Sequence, residues 1–218
     1  MTRRSSIVLA LGLALSVTAC SNPADGKPQA KVEEAAPEKK ADAAPAAAAK
    51  AGSAYAVNAE ASKLGFVGSK VTGSHEGGFK TFTAELSAAD GKVEGGSVSV
   101  SIDIDSMFSD SDDLTGHLKS ADFFDAEKHP KATFDSTEIK AGGSEGYSHT
   151  VVGNLGLHGV KKQITFPANI SMKDGKVDVD SEFSINRKDF EMNYAGKADN
   201  LIRDEVVIKL DLTFDGKA

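Results

Sequence analysis

One stretch of this sequence has the residue types and the spacing of a serine nucleophile. Residues 142–146 read Gly-Gly-Ser-Glu-Gly and match G-x-S-x-G, the turn that presents the reactive serine of α/β hydrolases. That turn needs a strand before the serine and a helix after it. Residues 147–152, however, read Tyr-Ser-His-Thr-Val-Val and predict a strand. A glycine-rich hairpin loop is therefore the better interpretation, and no nucleophile is predicted here.

Histidines and one acidic run are the candidates for a metal site. The five histidines show no H-x-x-x-H or similar ligand spacing: His75, His117, His129, His149 and His158. Convergence of two of them in the fold stays open, but surface or structural roles are favoured. Asp110, Asp112 and Asp113 resemble the start of a calcium loop, yet Leu114 stands at its fifth position and Thr115 at the sixth, where that loop needs glycine. We predict no metal, no cofactor, no catalytic residue and no enzymatic activity.

Charge and cysteine content exclude further classes of protein. The chain of 218 residues has 25 Lys and Arg against 32 Asp and Glu, a net charge of −7. Because binding to a phosphate backbone relies on basic residues, no nucleic-acid partner is expected. The only cysteine is Cys20, so internal disulfides and multi-cysteine zinc sites are excluded.

The first nineteen residues have the features of an export signal. Arg3 and Arg4 precede an apolar run over residues 7–17, which is too short to span a bilayer. The run ends in Val-Thr-Ala-Cys, which resembles the bacterial lipobox, so residues 1–19 are predicted to be a lipoprotein signal peptide and Cys20 the acylated anchor, carrying chains such as palmitate. Ordinary cleavage after Ala19 is the alternative. Because Ser21 follows the cysteine, we expect a lipid anchor in the bacterial envelope, at the outer membrane and facing the periplasm.

Residues 20–53 differ sharply in composition from the rest of the chain. They are rich in Ala, Lys, Glu and Pro and nearly lack large apolar side chains. Such a segment cannot bury enough surface to offset the entropy of ordering, so a disordered linker is predicted. The folded domain is then expected over residues 54–218, clear of the membrane surface.

Alternation of apolar and polar residues with period two dominates residues 54–218. Val98, Val100, Ile102 and Ile104 alternate with polar residues, and the same pattern recurs over residues 164–172, 177–185 and 206–214. Weaker strands are predicted over 64–71, 79–86, 132–139 and 147–157, with tight turns at 90–91, 142–143 and 174–175. About eight strands, each with one solvent-exposed face, favour an all-β fold closed into an antiparallel barrel.

One segment interrupts the strand pattern. Residues 111–121 place Leu114, Leu118 and Ala121 on one helical face, with Ser111 as a suitable N-cap. We therefore predict one short helix over an end or a side of the barrel. From composition alone, the apolar strand faces pack the barrel solid or leave room for one small ligand.

An ordered series of short motifs resembles the YceI family of bacterial secreted and periplasmic proteins. The series includes Gly78-Phe79-x-x-Phe82, residues 117–125 (His-Leu-Lys-Ser-Ala-Asp-Phe-Phe-Asp), His129-Pro130-x-Ala132-x-Phe134, residues 153–162, and Arg187-x-Asp189-Phe190. It extends over residues 55–214. The resemblance implies an extended, eight-stranded, lipocalin-like barrel whose apolar interior holds a polyisoprenoid or a similar long-chain amphiphile.

That implied function names a set of candidate residues. Apolar residues on the strand faces are expected to line the ligand site: Leu64, Phe66, Phe82, Val100, Ile102, Phe134, Leu155, Ile164, Phe166, Phe183, Ile185, Val206 and Ile208. Four polar residues are candidates for the ligand head-group or for the barrel rim: His117, His158, Arg187 and Asp189. A structural ion pair between Arg187 and Asp189 is the alternative for the last two.

The resulting hypothesis is a non-catalytic protein of the bacterial envelope. It would bind, store or transport a polyisoprenoid or fatty-chain ligand and contact the membrane through its acyl anchor. A second copy of the chain, forming a homodimer, is also considered as a partner. The alternative is an envelope stress or interaction protein with a packed barrel core. An internal cavity distinguishes the two hypotheses.

Overall fold

The computed structural model describes residues 22–37, 53–89, 91–198 and 200–217. The predicted signal peptide (1–19), Cys20 and the part of the predicted linker over 38–52 lie outside these residues. The described residues form fourteen strands and one α-helix, α1 (Asp112–Lys119). The strands are β1 (Lys31–Glu34), β2 (Ser53–Val57), β3 (Lys63–Lys70), β4 (Gly73–Phe79), β5 (Phe82–Ala89), β6 (Lys92–Asp103), β7 (Met107–Ser109), β8 (Lys131–Ala141), β9 (His149–Leu157), β10 (Val160–Lys173), β11 (Lys176–Asn186), β12 (Gly196–Lys197), β13 (Asn200–Leu201) and β14 (Glu205–Gly216).

Eight antiparallel staves close into a barrel, which confirms the predicted fold class. Three staves are interrupted strands: β2 with β3, β4 with β5, and β6 with β7. The other five are β8, β9, β10, β11 and β14, and each stave pairs with the next along the chain. The last stave, β14, closes the barrel by pairing with both β2 and β3. Within the described residues, this closure pairs the strand edges that an open sheet would leave free, except where β10 and β11 separate.

Alternating residues and Asp-Gly turns account for the long strands. Along β11, Val177, Phe183 and Ile185 are buried in the core. The turn before β11 is made by Asp174 at φ 52° and Gly175 at φ 74°, the left-handed geometry that a two-residue hairpin turn requires. The predicted turn at 174–175 is thus confirmed, and it lies at what we call the hairpin end of the barrel, where β5 also leads into β6 and β8 into β9.

The predicted short helix is present at the opposite end. Ser111 caps α1 by accepting a hydrogen bond from the backbone N–H of Leu114 at 3.4 Å, and Asp112 and Asp113 lie in the first turn, where the helix dipole favours acidic residues. We call this end, which also holds the 158–159 turn and the 3₁₀ turn Arg187–Phe190, the helical end.

A seam in the barrel wall is filled by a strand that precedes the predicted domain (residues 54–218). β10 pairs with β11 only near the hairpin end, through residues 169–173 and 176–180, and towards the helical end the two strands separate. β1 occupies that gap and pairs antiparallel with β10, from Lys31 opposite Thr165 to Glu34 opposite Lys162. Residues 28–34 therefore act as an additional strand between the two staves.

Contacts before and after β1 hold this segment in place. The backbone of Ser184 on β11 accepts a hydrogen bond from the N–H of Ala30 and donates one to the carbonyl of Pro28, both at 2.8 Å. Lys27 forms an ion pair with Glu182 at 2.7 Å, and that hydrogen bond raises the pKa of the lysine. Asn154 bonds both the N–H and the carbonyl of Ala36. The prediction of a disordered linker is therefore wrong over residues 22–37, which we call the strap.

Candidate functional site

The helical half of the barrel contains a cavity of about 220 Å³. Its surface is almost entirely apolar carbon, and it is partly open to solvent. A closed apolar cavity of about 150 Å³ is enough for a benzene molecule, whereas pockets for drug-sized ligands begin near 300 Å³. The cavity therefore has room for a segment of an apolar chain.

Most of the residues predicted to line a ligand site lie on the wall of this cavity. Twelve of the thirteen line this cavity: Leu64, Phe66, Val100, Ile102, Phe134, Leu155, Ile164, Phe166, Phe183, Ile185, Val206 and Ile208. The exception is Phe82, which is buried in the core but does not line the cavity. Phe82 begins β5, directly after the interruption between β4 and β5.

Aromatic side chains divide the barrel interior along its axis. A second cavity of about 50 Å³ lies in the hairpin half, and Phe134 and Phe166 line both cavities. The rings of these two residues are 5.7 Å apart, and the ring of Phe166 stacks on Phe183 at 4.3 Å. We call Phe134, Phe166 and Phe183 the aromatic partition. It separates the two cavities and ends the larger one near the middle of the barrel.

Residues outside the regular strands close much of the helical end. Leu114 and Leu118 of α1 and Phe123 and Phe124 of the following turn all line the cavity. Sequence reasoning placed Leu114 and Leu118 on one helical face, but it did not assign them to the ligand site. Other lining residues that it missed belong to loops or to strand positions left out of the candidate set, among them Phe79, Leu157, Met192, Ile202, Leu210 and Leu212.

Arg187 is a buried cation beside the cavity. Its side chain donates hydrogen bonds to the carbonyls of Arg203 and Met192 and forms an ion pair with Asp204 at 3.2 Å. Burial lowers the pKa of the guanidinium, and the charge of Asp204 opposes that shift. The alternative that paired Arg187 with Asp189 is wrong, because Asp204 is the partner. Arg187 connects the 3₁₀ turn to the chain before β14, and it is one of the residues that line the cavity.

The other three rim candidates lie outside the cavity lining. His117 is within 2.9 Å of Asp122, and its ring packs edge-on against Phe123 and Tyr194. His158 lies 3.0 Å from the carbonyl oxygen of Phe190 through Nδ1. Asp189 is half-buried and forms no ion pair within the part of the chain that the structure describes. Only Arg187 among the four therefore contributes to the cavity wall.

One polar atom near the cavity stands out. The hydroxyl of Ser69 is buried and has no hydrogen-bond partner among the described residues, and Ser69 is one of the cavity-lining residues. An unpaired buried hydroxyl is costly, so such atoms are rare in folded proteins. Lys70 and His75 line the same part of the cavity.

Two further properties bear on function. Among the described residues, one group of potential metal ligands converges, made by Asp125, His129 and His158. The sequence predicts no metal site, and the structure does not test that prediction. Within the same residues, no helix is long and apolar enough to cross a membrane.

Comparison with solved structures places the barrel among known proteins. Burkholderia cenocepacia BcnA is 26% identical and superimposes with a TM-score of 0.61, over 72% of this chain and 98% of that one. A polyisoprenoid binding domain from Saccharophagus degradans is 20% identical with a TM-score of 0.60, over 75% of this chain and 98% of that one. The second similarity concerns the fold alone.

Sequence comparison gives relatives and a family. A UPF0312 protein of Pseudomonas putida is 37% identical over 95 residues, which are 44% of this chain and 48% of that protein. A UPF0312 protein of Vibrio campbellii is 35% identical over 119 residues, 54% of this chain and 58% of that one. The chain thus aligns with about half of the length of these relatives. The family model described as the YceI-like domain matches residues 55–214, so the chain belongs to the YceI-like family.

Proposed function

We propose that this protein is a non-catalytic carrier that encloses part of a polyisoprenoid or another long-chain amphiphile in its barrel. The apolar cavity of the helical half carries this proposal. Each buried methylene contributes about 0.8 kcal/mol, so an apolar cavity binds a hydrocarbon chain without specific polar contacts. The fold similarity to a polyisoprenoid binding domain supports the same class of ligand.

The cavity also weighs against the alternative hypothesis. A stress or interaction protein that acts through its surface needs only a packed barrel, whereas this barrel has about 220 Å³ of empty apolar space. Empty space removes packing contacts and lowers stability, by roughly 24 cal/mol for each Å³ in measured cases. A cavity of this kind is more readily explained by a ligand than by a structural role.

The strap supports a position close to a membrane surface. An acyl group on Cys20 would anchor the chain, and two residues span at most about 7 Å. Asn22, the first described residue, precedes the part of the strap that is bonded to β11. The anchor would therefore hold the barrel close to the membrane rather than at the end of a free linker, which suits the transfer of a lipid. Location at the outer membrane, facing the periplasm, is part of this proposal.

Solvent extraction tests the proposal directly. The full chain is purified, extracted with organic solvent, and the extract is analysed by mass spectrometry. A long-chain amphiphile in a near-stoichiometric amount is the expected result. An empty protein that also takes up no polyprenol or fatty alcohol would contradict the proposal. Sedimentation of the same sample shows whether the chain is a monomer or the homodimer considered above.

A matched pair of variants connects the bound lipid to the cavity. Val206→Phe adds a ring to the cavity wall, whereas Val71→Phe makes the same change at a turn residue that is 48% exposed. Val206→Phe is expected to reduce the extracted lipid strongly and Val71→Phe to leave it unchanged. Equal lipid content in the two folded variants would show that the lipid binds outside the cavity.

A further inference from the structure

We propose that Asp125, His129 and His158 form a binding site for a divalent transition metal of the zinc class. One potential ligand atom from each of these residues lies within 4.8 Å of the other two. The residues come from two separate segments, the turn that precedes β8 and the turn between β9 and β10. Two imidazoles and one carboxylate make a ligand set used for Zn²⁺ and other first-row metals, with room for a further ligand.

His158 has the orientation expected of a metal ligand. Its Nδ1 lies 3.0 Å from the carbonyl oxygen of Phe190. A carbonyl only accepts hydrogen bonds, so Nδ1 carries the proton, and the lone pair of the neutral ring is on Nε2. This hydrogen bond from the far ring nitrogen to a backbone carbonyl is the usual support of a metal-binding histidine. Nε2 has no hydrogen-bond partner among the described residues.

The ring of His129 can lie beside His158 because residue 159 is a glycine. A Cβ on Gly159 would lie 2.5 Å from Cε1 of His129, so the ring rests directly against the glycine backbone. The rings of His129 and His158 are 5.4 Å apart. The His129 side chain makes no hydrogen bond within the part of the chain that the structure describes, which leaves its nitrogens available for coordination.

Asp125 completes the group from the first turn. Its side chain is 13% exposed, and one oxygen accepts a hydrogen bond from Lys128 at 2.7 Å. The other oxygen is available for a metal. Lys128 is 72% exposed and extends into solvent, so it competes with a cation for the carboxylate without blocking the site.

The position of the group gives the metal a structural consequence. Phe124 precedes Asp125, Leu157 precedes His158, and both Phe124 and Leu157 line the cavity. A metal ion bound to all three ligands would connect these two segments at the helical end. The site lies beside the cavity, so metal binding is independent of the lipid-carrier proposal.

Metal titration of the full chain tests the site. The protein is produced without a histidine tag, treated with a chelator and titrated with Co²⁺ followed by optical absorption, then with Zn²⁺ in competition. We expect one metal ion per chain and visible bands from nitrogen and oxygen coordination. Asp125→Asn and His129→Gln are expected to weaken binding at least about tenfold. Lys128→Gln removes the competing cation and is expected to strengthen it.

Matched controls make the result decisive. His149→Gln removes a histidine at the hairpin end, next to Glu94 and away from the group, and should leave the titration unchanged. Circular dichroism shows whether each variant is folded. Wild-type protein that binds no Co²⁺ or Zn²⁺, or binding that persists in folded Asp125→Asn and His129→Gln, would overturn the proposal.

Discussion

The aromatic partition is expected to set the length of chain that the cavity accepts. Phe166 is 6% exposed, stacks on Phe183 at 4.3 Å, and lines both the 220 Å³ and the 50 Å³ cavity. Phe166→Ala removes the ring and should connect the two cavities. A chain that ends at the partition in the wild type could then extend into the hairpin half.

The loss of stability and the gain in ligand affinity expected of Phe166→Ala both follow from the structure. Truncating a buried phenylalanine to alanine destabilises a protein by about 3–5 kcal/mol, so the variant without ligand should unfold at a clearly lower denaturant concentration. Each additional methylene that enters the enlarged cavity contributes about 0.8 kcal/mol, which is roughly fourfold in Kd. Long chains should therefore restore part of the lost stability, whereas short chains should not.

The assay measures Kd for a series of n-alkyl alcohols of increasing chain length. Wild-type affinity should rise with each methylene and then level off where the chain reaches the partition. In Phe166→Ala the affinity should level off at a longer chain. Phe79→Ala is the control, since Phe79 lines only the larger cavity and deleting its ring leaves the partition intact. The same limiting chain length in both variants and the wild type would refute the reasoning.

Three other changes test separate parts of the structure. Ala30→Glu places a carboxylate at a position that is 5% exposed, so the strap should detach and amide exchange should accelerate at Ser184, as hydrogen exchange with mass spectrometry would show. Arg187→Met removes hydrogen bonds to two carbonyls and one of the two cationic partners of Asp204, the other being Lys188, and urea unfolding should show a loss of about 2–3 kcal/mol. Ser69→Ala removes an unpaired buried hydroxyl, so thermal stability should stay equal or rise; a fall in ligand affinity in the same variant would show that the hydroxyl contacts the bound head-group.

The barrel was predictable because strand period and turn chemistry agree. Residues such as Ile164, Phe166 and Ile185 alternate with polar neighbours, and the period of two alone identifies their inward direction. The interruptions within the strands, by contrast, could not be predicted from this period. Phe82 follows the alternation of β5, but it comes directly after the interruption between β4 and β5 and does not line the cavity. A local pattern gives the face on which a residue lies, not its height along the barrel axis.

The cavity itself could not be predicted from the sequence pattern. An apolar face is the same whether the opposite side chains meet or leave space, and here they do both, since the aromatic partition fills the middle while the helical half stays open. The helical end is closed by residues such as Phe124 and Met192, which belong to irregular segments with no period to interpret. Their contribution depends on tertiary packing, which composition does not encode.

The strap shows how a tertiary site can override a composition typical of disorder. Residues 28–34 have little apolar surface: Ala30 is buried and Val32 packs partly against the core. Their order arises from the separated strands β10 and β11, whose backbone groups would otherwise be unpaired along the seam. The hydrogen bonds to Ser184 and the ladder to β10 satisfy those groups, so the barrel wall supplies the stabilisation that the segment lacks by itself. A barrel expressed from residue 54 onwards would lack this strand, and it should expose the seam beside Ile164 and Ile185 to solvent.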